Sequence, residues 1–175
     1  MNGGTAVFFR PMEERDVARI HQLETVCFSE PWSEESLLRE LRENAKMAHY
    51  IVGTVKKTPA GEAGAESDEA DTADAELVVT YGGYWQIFDE AHITNVAVAP
   101  EFRRQGIALR LMAEMEKDFR SRGIMYATLE VRAGNEAAGT LYERCGFARA
   151  GVRKNYYAKP REDAIIMWKK LDGTL

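Results

Sequence analysis

One stretch, Ile93 to Phe119, limits the possible folds more than any other. Ile93 to Val98 has the length and apolar content of a strand, and Pro100 follows it. Ala108, Leu111, Met112, Met115 and Phe119 then recur at i, i+3, i+4, i+7 and i+11. That is the period of one helical face, so the spacing predicts an amphipathic helix, with Gly123 placed to stop it. Between strand and helix lies Arg103-Arg104-Gln105-Gly106-Ile107-Ala108. Such a loop can cradle phosphate: first-turn N–H groups lack partners within the helix, the helix dipole favours negative charge, and glycine lets an anion approach the main chain. By spacing alone it reads equally as a generic loop-to-helix turn. It lacks the Lys-Ser/Thr of a P-loop and the glycine spacing of a dinucleotide fingerprint, which argues against nucleotide hydrolysis and NAD.

The flanking sequence supplies the other layers. Ala6 to Phe9 reads as a strand, followed by a helix carrying Val17, Ile20, Leu23 and Cys27, with acids Glu13, Glu14 and Asp16 at its start. Ser33 is placed to cap a second helix, with Glu34 and Glu35 in its first turn and Leu37, Leu38 and Leu41 on one stripe. Met47 to Val55, Leu77 to Ile87 and Ala91 to Val98 are three successive strands, which suggests an antiparallel meander. From Tyr126 onward, Tyr126, Thr128 and Glu130 alternate with Ala127, Leu129 and Val131, giving a strand with one polar face. Asn135 is placed to cap a helix bearing Ala138, Leu141, Tyr142 and Cys145, ended by Gly146; Ala148 to Tyr157 and Ala164 to Leu171 complete a mixed sheet. No repeat or linker divides the chain, so residues 1–175 are expected to form one α/β (α+β) domain.

Composition narrows the function classes. At 175 residues and 45% hydrophobic the chain can bury a full core. No apolar run approaches the roughly 18 residues of a membrane span, and the first residues lack a signal-peptide pattern, so a soluble, cytoplasmic protein is expected. Cys27 and Cys145 are too far apart for a zinc or disulfide framework, and no metal is expected. Thr58 to Glu76 holds 7 acids and no Lys or Arg, leaving 21 acids against 23 bases elsewhere. A nearly neutral body is not the basic face of a nucleic-acid binder. The acidic stretch has too few large apolar residues to offset the entropy of ordering, so 58–76 reads as a solvated, flexible loop, or alternatively as an acidic arm for a basic partner.

Arg103-x-x-Gly106-x-Ala108 resembles the Arg/Gln-x-x-Gly-x-Gly/Ala signature of the Gcn5-related N-acetyltransferases (GNAT). Leu129-Glu130-Val131-Arg132 to Asn135, then Leu141-Tyr142-Glu143-Arg144-Cys145-Gly146-Phe147, is similar to the family's other half. Phe28-Ser29-Glu30-Pro31-Trp32-Ser33, Asn155-Tyr156-Tyr157 and Glu162-Asp163-Ala164-Ile165-Ile166-Met167 resemble its ribosomal-protein-alanine N-acetyltransferases. The resemblance implies a largely antiparallel sheet flanked by helices, in which a splayed parallel strand pair forms an acetyl-CoA cleft. In that arrangement the main chain of Val96, Ala97 and Val98 would meet the pantetheine arm. Arg103, Arg104, Gln105, Gly106, Ile107 and Ala108 would hold the pyrophosphate, and Asn135 would lie near the thiol end. Ala108 stands where the family often has glycine.

The same resemblance makes Glu130 a general base acting through water and Tyr142 a general acid, with the Val98 N–H stabilising an oxyanion. Read without it, a strand Glu is usually solvated and a Tyr beside Leu141 and Cys145 is usually packing. Cys145 falls on an apolar stripe and is expected to be structural. His21, His49 and His92 share no metal spacing and are expected to do no chemistry. Trp32 and Tyr156-Tyr157 would line the acceptor groove. The implied reaction is acetylation of a protein N-terminus, that of an alanine in a ribosomal protein, with no direct nucleic-acid or membrane partner. The alternatives are a lysine or small-amine acetyltransferase and a non-catalytic acetyl-CoA sensor.

Overall fold

The computed structural model describes residues 6–56 and 76–171. In chain order the elements are β1 (Phe8–Pro11), a 3-10 turn (Glu14–Asp16), α1 (Val17–Cys27), α2 (Glu34–Arg42), β2 (Ala48–Lys56), β3 (Glu76–Ile87) and β4 (Glu90–Val98). A second 3-10 turn (Pro100–Phe102), α3 (Ile107–Ser121), β5 (Tyr126–Arg132), α4 (Glu136–Arg144), β6 (Ala148–Ala158) and β7 (Arg161–Lys170) follow. The seven strands form one sheet in the order β1-β2-β3-β4-β5-β7-β6. Every neighbouring pair is antiparallel except β4 and β5, so the expected meander is β2-β3-β4. Most of the acidic segment, 58–75, lies outside the described residues. Its last acid, Glu76, opens β3 opposite Lys56 and pairs with Arg10 at 3.1 Å, so the strand begins one residue earlier than expected. Among the described residues no helix is long and apolar enough to cross a membrane.

Local chemistry sets the helix ends. Ser33 Oγ accepts the Ser36 N–H at 3.1 Å and starts α2; Asn135 Oδ1 accepts the Ala138 N–H at 3.1 Å and starts α4. Gly123 (φ 72°) and Gly146 (φ 86°) take the left-handed conformation that ends α3 and α4. The helices cover both faces of the sheet. Leu111, Met115 and Phe119 of α3 pack with Ile93, Leu129 and Met167 on one side, while Val17, Ile20 and Leu23 of α1 and Leu37 of α2 pack with Val52, Tyr81 and Ala97 on the other.

Two irregularities in β4 open the sheet. Gly83 pairs with Asn95 and Tyr84 with Ile93, so Thr94 is an extra residue, a β-bulge. The bulge exchanges the faces: Ile93 points under α3, whereas Ala97 points under α1. The parallel pairing with β5 runs only from Glu90–Tyr126 to Ile93–Leu129. Beyond that point β4 stays with β3 as far as Val98–Thr80, and β5 stays with β7 as far as Arg132–Ala164. The two strands therefore part at the bulge, leaving a V-shaped cleft between Thr94–Val98 and the end of β5.

Candidate active site

Strand alternation decides which main-chain groups face this cleft. The Ala99 N–H donates to Val79 at 2.8 Å, and Ala97 lies two residues away opposite Tyr81, so both turn toward β3. Val96 and Val98 alternate with them and direct their main chain into the cleft. Ala97 is thus a correction: its carbonyl accepts the Thr80 hydroxyl at 2.7 Å, its side chain is buried, and it cannot join its neighbours in the cleft. The Val98 carbonyl accepts Arg103 Nε at 3.0 Å.

At the mouth of the cleft the loop before α3 takes two left-handed residues, Arg104 (φ 60°) and Gly106 (φ 76°). A Cβ built on Gly106 meets no atom within 4 Å, so the space beside this backbone is open on the protein side. Ile107 is buried among Val7, Val55 and Val79 and anchors the first turn of the 15-residue helix. The first-turn N–H groups, from Ile107 and Ala108 onward, remain for an anion. The Arg103 side chain folds back to Val98 and to within 3.3 Å of Cys27 Sγ, bracing the strand end, while Gln105 donates to the Glu101 carbonyl. Arg104 is exposed at the loop.

Where the strands part, Glu130 lies on the face of β5 opposite the core residues Ala127, Leu129 and Val131. Its side chain is only 7% exposed, contrary to the solvated carboxylate that a lone strand Glu suggests. His92 Nε2 lies 2.7 Å from Oε2, and Arg153 Nε donates to Oε1 at 3.0 Å. A carboxylate only accepts, so the His92 Nε2 carries the hydrogen in this bond. The Tyr157 hydroxyl donates to the Glu130 carbonyl at 3.2 Å. His92, which nothing in the sequence connects with Glu130, is set by the parallel register opposite Thr128, next to Glu130 on the same face.

Tyr142 is buried on α4 and packs edge-on against Phe147 at 6.1 Å. Burial first, then the neighbouring Tyr157 and Cys145, push its phenol above the ordinary tyrosine range. Burial likewise pushes Tyr157 up to about 12. Asn135 already uses Oδ1 to cap α4. Burial also raises the half-buried Cys145 thiol, which suits a structural role. Among the described residues no group of three or more His, Cys, Asp or Glu side chains is placed to hold a metal.

Two segments meet on this side of the sheet: residues 28–33 between α1 and α2, and the β6–β7 hairpin, whose Arg153 and Tyr157 bond Glu130. Arg132 ties them. Its Nη2 donates to Ser29 Oγ at 2.8 Å and to the Lys159 carbonyl at 2.9 Å, and Nη1 reaches Pro160 and Glu162. Its guanidinium also lies over the Tyr157 ring at 4.1 Å. From below, the fully buried Glu24 accepts the Trp32 N–H at 2.7 Å, Asn95 Nδ2 at 3.1 Å and the Tyr81 hydroxyl. The half-buried Trp32 and the exposed Tyr156 are thus held on the two segments expected to line an acceptor groove.

The sequence profile of the acetyltransferase (GNAT) family matches residues 17–147. A relative from Bacillus subtilis (strain 168) is 33% identical over 164 residues, covering 94% of this chain and 95% of that protein. The [ribosomal protein bS18]-alanine N-acetyltransferase of Escherichia coli (strain K12) is 30% identical over 167 residues, covering 89% and 92%. The crystal structure of the ribosomal-protein-S18-alanine N-acetyltransferase from Escherichia coli superposes with a TM-score of 0.73 at 28% identity, covering 94% of each chain. Matched over three quarters of its length by the profile and over nearly all of it by full-length relatives, the chain belongs to the acetyltransferase (GNAT) family.

Proposed function

We propose that this protein transfers an acetyl group from acetyl-CoA to the N-terminal α-amine of a protein in the cytoplasm, and that its acceptor is the N-terminal alanine of a ribosomal protein. The observation that carries the reading is the Glu130–His92 contact at 2.7 Å, with the Glu130 side chain 7% exposed, at the point where β4 and β5 part and beside two segments tied by Arg132. The family and the names of the full-length relatives support the acceptor class. One domain, residues 1–175, suffices for this reading, with neither nucleic acid nor a membrane surface as partner.

The residues present suit acetyl-CoA. The open space beside Gly106, the left-handed Arg104 and the N-terminus of α3 suit a pyrophosphate, with Arg104 adding charge. Main-chain groups of Val96 and Val98 suit an amide-bearing arm, and Asn135 stands at the start of α4 beside the end of β5. When bound, acetyl-CoA supplies an acetyl group activated as a thioester. The protein's part is positioning, proton transfer and charge stabilisation. Glu130 takes a proton from the incoming amine, directly or through one water, with His92 fixing the carboxylate. Tyr142, protonated at neutral pH as an ordinary phenol is, gives a proton to the departing thiolate, and the Val98 N–H is aimed into the cleft for the acetyl carbonyl.

Acid–base chemistry favours the α-amine. Reference pKa values of about 7.7 to 8.0 for an α-amine and about 10.4 for lysine leave several hundredfold more free α-amine near pH 7. A carboxylate base deprotonates the α-amine more readily. Two matched peptides test this: one with a free Ala terminus and no lysine, the other with a blocked terminus and one lysine. The first should be acetylated faster at pH 7, read by mass. Faster reaction of the second would reject the assignment in favour of lysine acetylation, and no acetylation of any amine would favour a non-catalytic sensor.

A further inference from the structure

Arg153 has no part in the proton transfers above, yet it occupies the oxygen of Glu130 that His92 leaves free. Its Nε lies 3.0 Å from Oε1, and the two side chains differ sharply in exposure, 54% for Arg153 and 7% for Glu130. The carboxylate is fixed from inside the sheet; the guanidinium reaches it from solvent. Arg153 sits at the last regular pair of β6 before a bulge: Arg153 faces Ala164, Tyr157 faces Glu162, and Asn155 between them is left-handed (φ 53°). The guanidinium carbon also lies 5.8 Å from the Tyr156 ring centroid. The guanidinium thus touches an exposed aromatic face as well as the carboxylate, a contact it can keep on leaving Oε1.

From this geometry we infer that Arg153 is a displaceable latch: it holds the place of the acceptor's ammonium on Glu130 and swings out as that ammonium arrives. The inference rests on Glu130 as the base. His92 stays on Oε2 throughout, so the carboxylate is not left unpaired, and at Oε1 one cation is exchanged for another: one positive charge leaves as one enters. The exchange is also selective, because a neutral group, such as a blocked terminus, brings no charge to take the guanidinium's place. The latch competes with the acceptor for one carboxylate oxygen. Apparent affinity for the acceptor therefore falls by the fraction of molecules in which the latch is open.

Replacing Arg153 with Met removes the competitor and keeps the aliphatic bulk. A half-exposed ion pair of ordinary strength corresponds to roughly one open molecule in five, so KM for the free-Ala peptide should fall about five-fold in Arg153→Met, and kcat/KM should rise. Arg153→Lys, which keeps a cation, should return KM toward the parent value. Methylguanidinium should compete with the peptide in Arg153→Ala and much less in the parent. A purely structural arginine would change the melting temperature without lowering KM. An unchanged or raised KM in Arg153→Met, while Glu130→Gln still loses turnover, would overturn the latch and leave the base intact. Full turnover in Glu130→Gln would instead remove the base, and the latch with it.

Discussion

Gly106 allows the cofactor assignment to be separated from folding. Its φ of 76° lies where an L-residue costs about 1 to 2 kcal/mol, while removing glycine's freedom from the unfolded chain returns about 0.4 to 1 kcal/mol. A Cβ there would meet no protein atom within 4 Å, so no further steric penalty arises inside the protein. Gly106→Ala should therefore lose between about 0 and 1.6 kcal/mol from these two effects, or up to roughly 6 °C in melting temperature for a domain of this size. Binding should suffer more, because the methyl enters the space assigned to the pyrophosphate. Gly106→Asp shares the strain and adds charge. Two unit charges about 5 Å apart at an effective dielectric of about 20 repel by roughly 3 kcal/mol, about a hundredfold in affinity. Calorimetry with acetyl-CoA alongside thermal melts reads both quantities. Aspartate should weaken binding well beyond alanine at nearly equal stability, and raised salt should narrow the gap. Undiminished affinity in Gly106→Asp would refute the placement of the pyrophosphate at this helix end.

Glu130→Gln and Tyr142→Phe should each lower kcat, by about 100-fold to 10,000-fold if they act as general base and acid, with acetyl-CoA affinity by calorimetry nearly unchanged. For Asp16, burial raises the carboxyl, but the Arg10 guanidinium at 2.7 and 2.9 Å and the Glu13 N–H outweigh it and hold the group below its usual range. Its contribution is present above the ordinary carboxylate value of about 3.9 and is lost as pH falls through the lower folded value. Urea unfolding should show Asp16→Asn costing about 1.5 to 3 kcal/mol at pH 7, with the difference from the parent shrinking below about pH 4. Replacing residues 57–75 with Asn-Gly should leave the melting temperature and peptide turnover close to those of the parent. Lys56 already pairs with Glu76, and Asn-Gly suits a two-residue hairpin. A large loss of either would show that the acidic segment contributes to the fold or the reaction.

Most of the fold was legible because its signals are local. The stripe from Ala108 to Phe119, the caps Ser33 and Asn135, the stops Gly123 and Gly146 and the alternation around Glu130 each act within a few residues. The site was only half legible. Glu130 could be singled out by its polar face, yet its burial could not, because the groups that bury and pair it, His92 and Arg153, come from β4 and β6. His92 looked idle since its partner is 38 positions away and reached only through the parallel register. Thr94 gave no warning of a bulge, having neither a glycine nor a proline beside it. Ala97 was grouped with Val96 and Val98 because a sequence window does not reveal which way alternate peptide groups turn.

The buried acids carry this further, because they break the apolar pattern that made the helices readable. Glu24 lies among Ile20, Leu23 and Cys27 on the inner side of α1, and Glu40 lies beside Leu37 and Leu41 on that of α2. Each is tolerated because distant donors surround it. Tyr81, Asn95 and the Trp32 N–H serve Glu24, while Tyr50, Trp85 and Asn44 serve Glu40. Such contacts add less net stability than apolar packing would, since each must first offset desolvation. What they add is direction. A leucine at position 24 could pack in several ways, whereas a carboxylate with three donors fixes the Trp32 backbone relative to β3 and to Asn95, the residue following the bulge. One wall of the proposed acceptor groove is thereby tied to the strand whose divergence opens the cleft. Charged residues on an inward helical face are, in this chain, the sequence trace of that tie, and their meaning emerges only once the sheet brings their partners alongside.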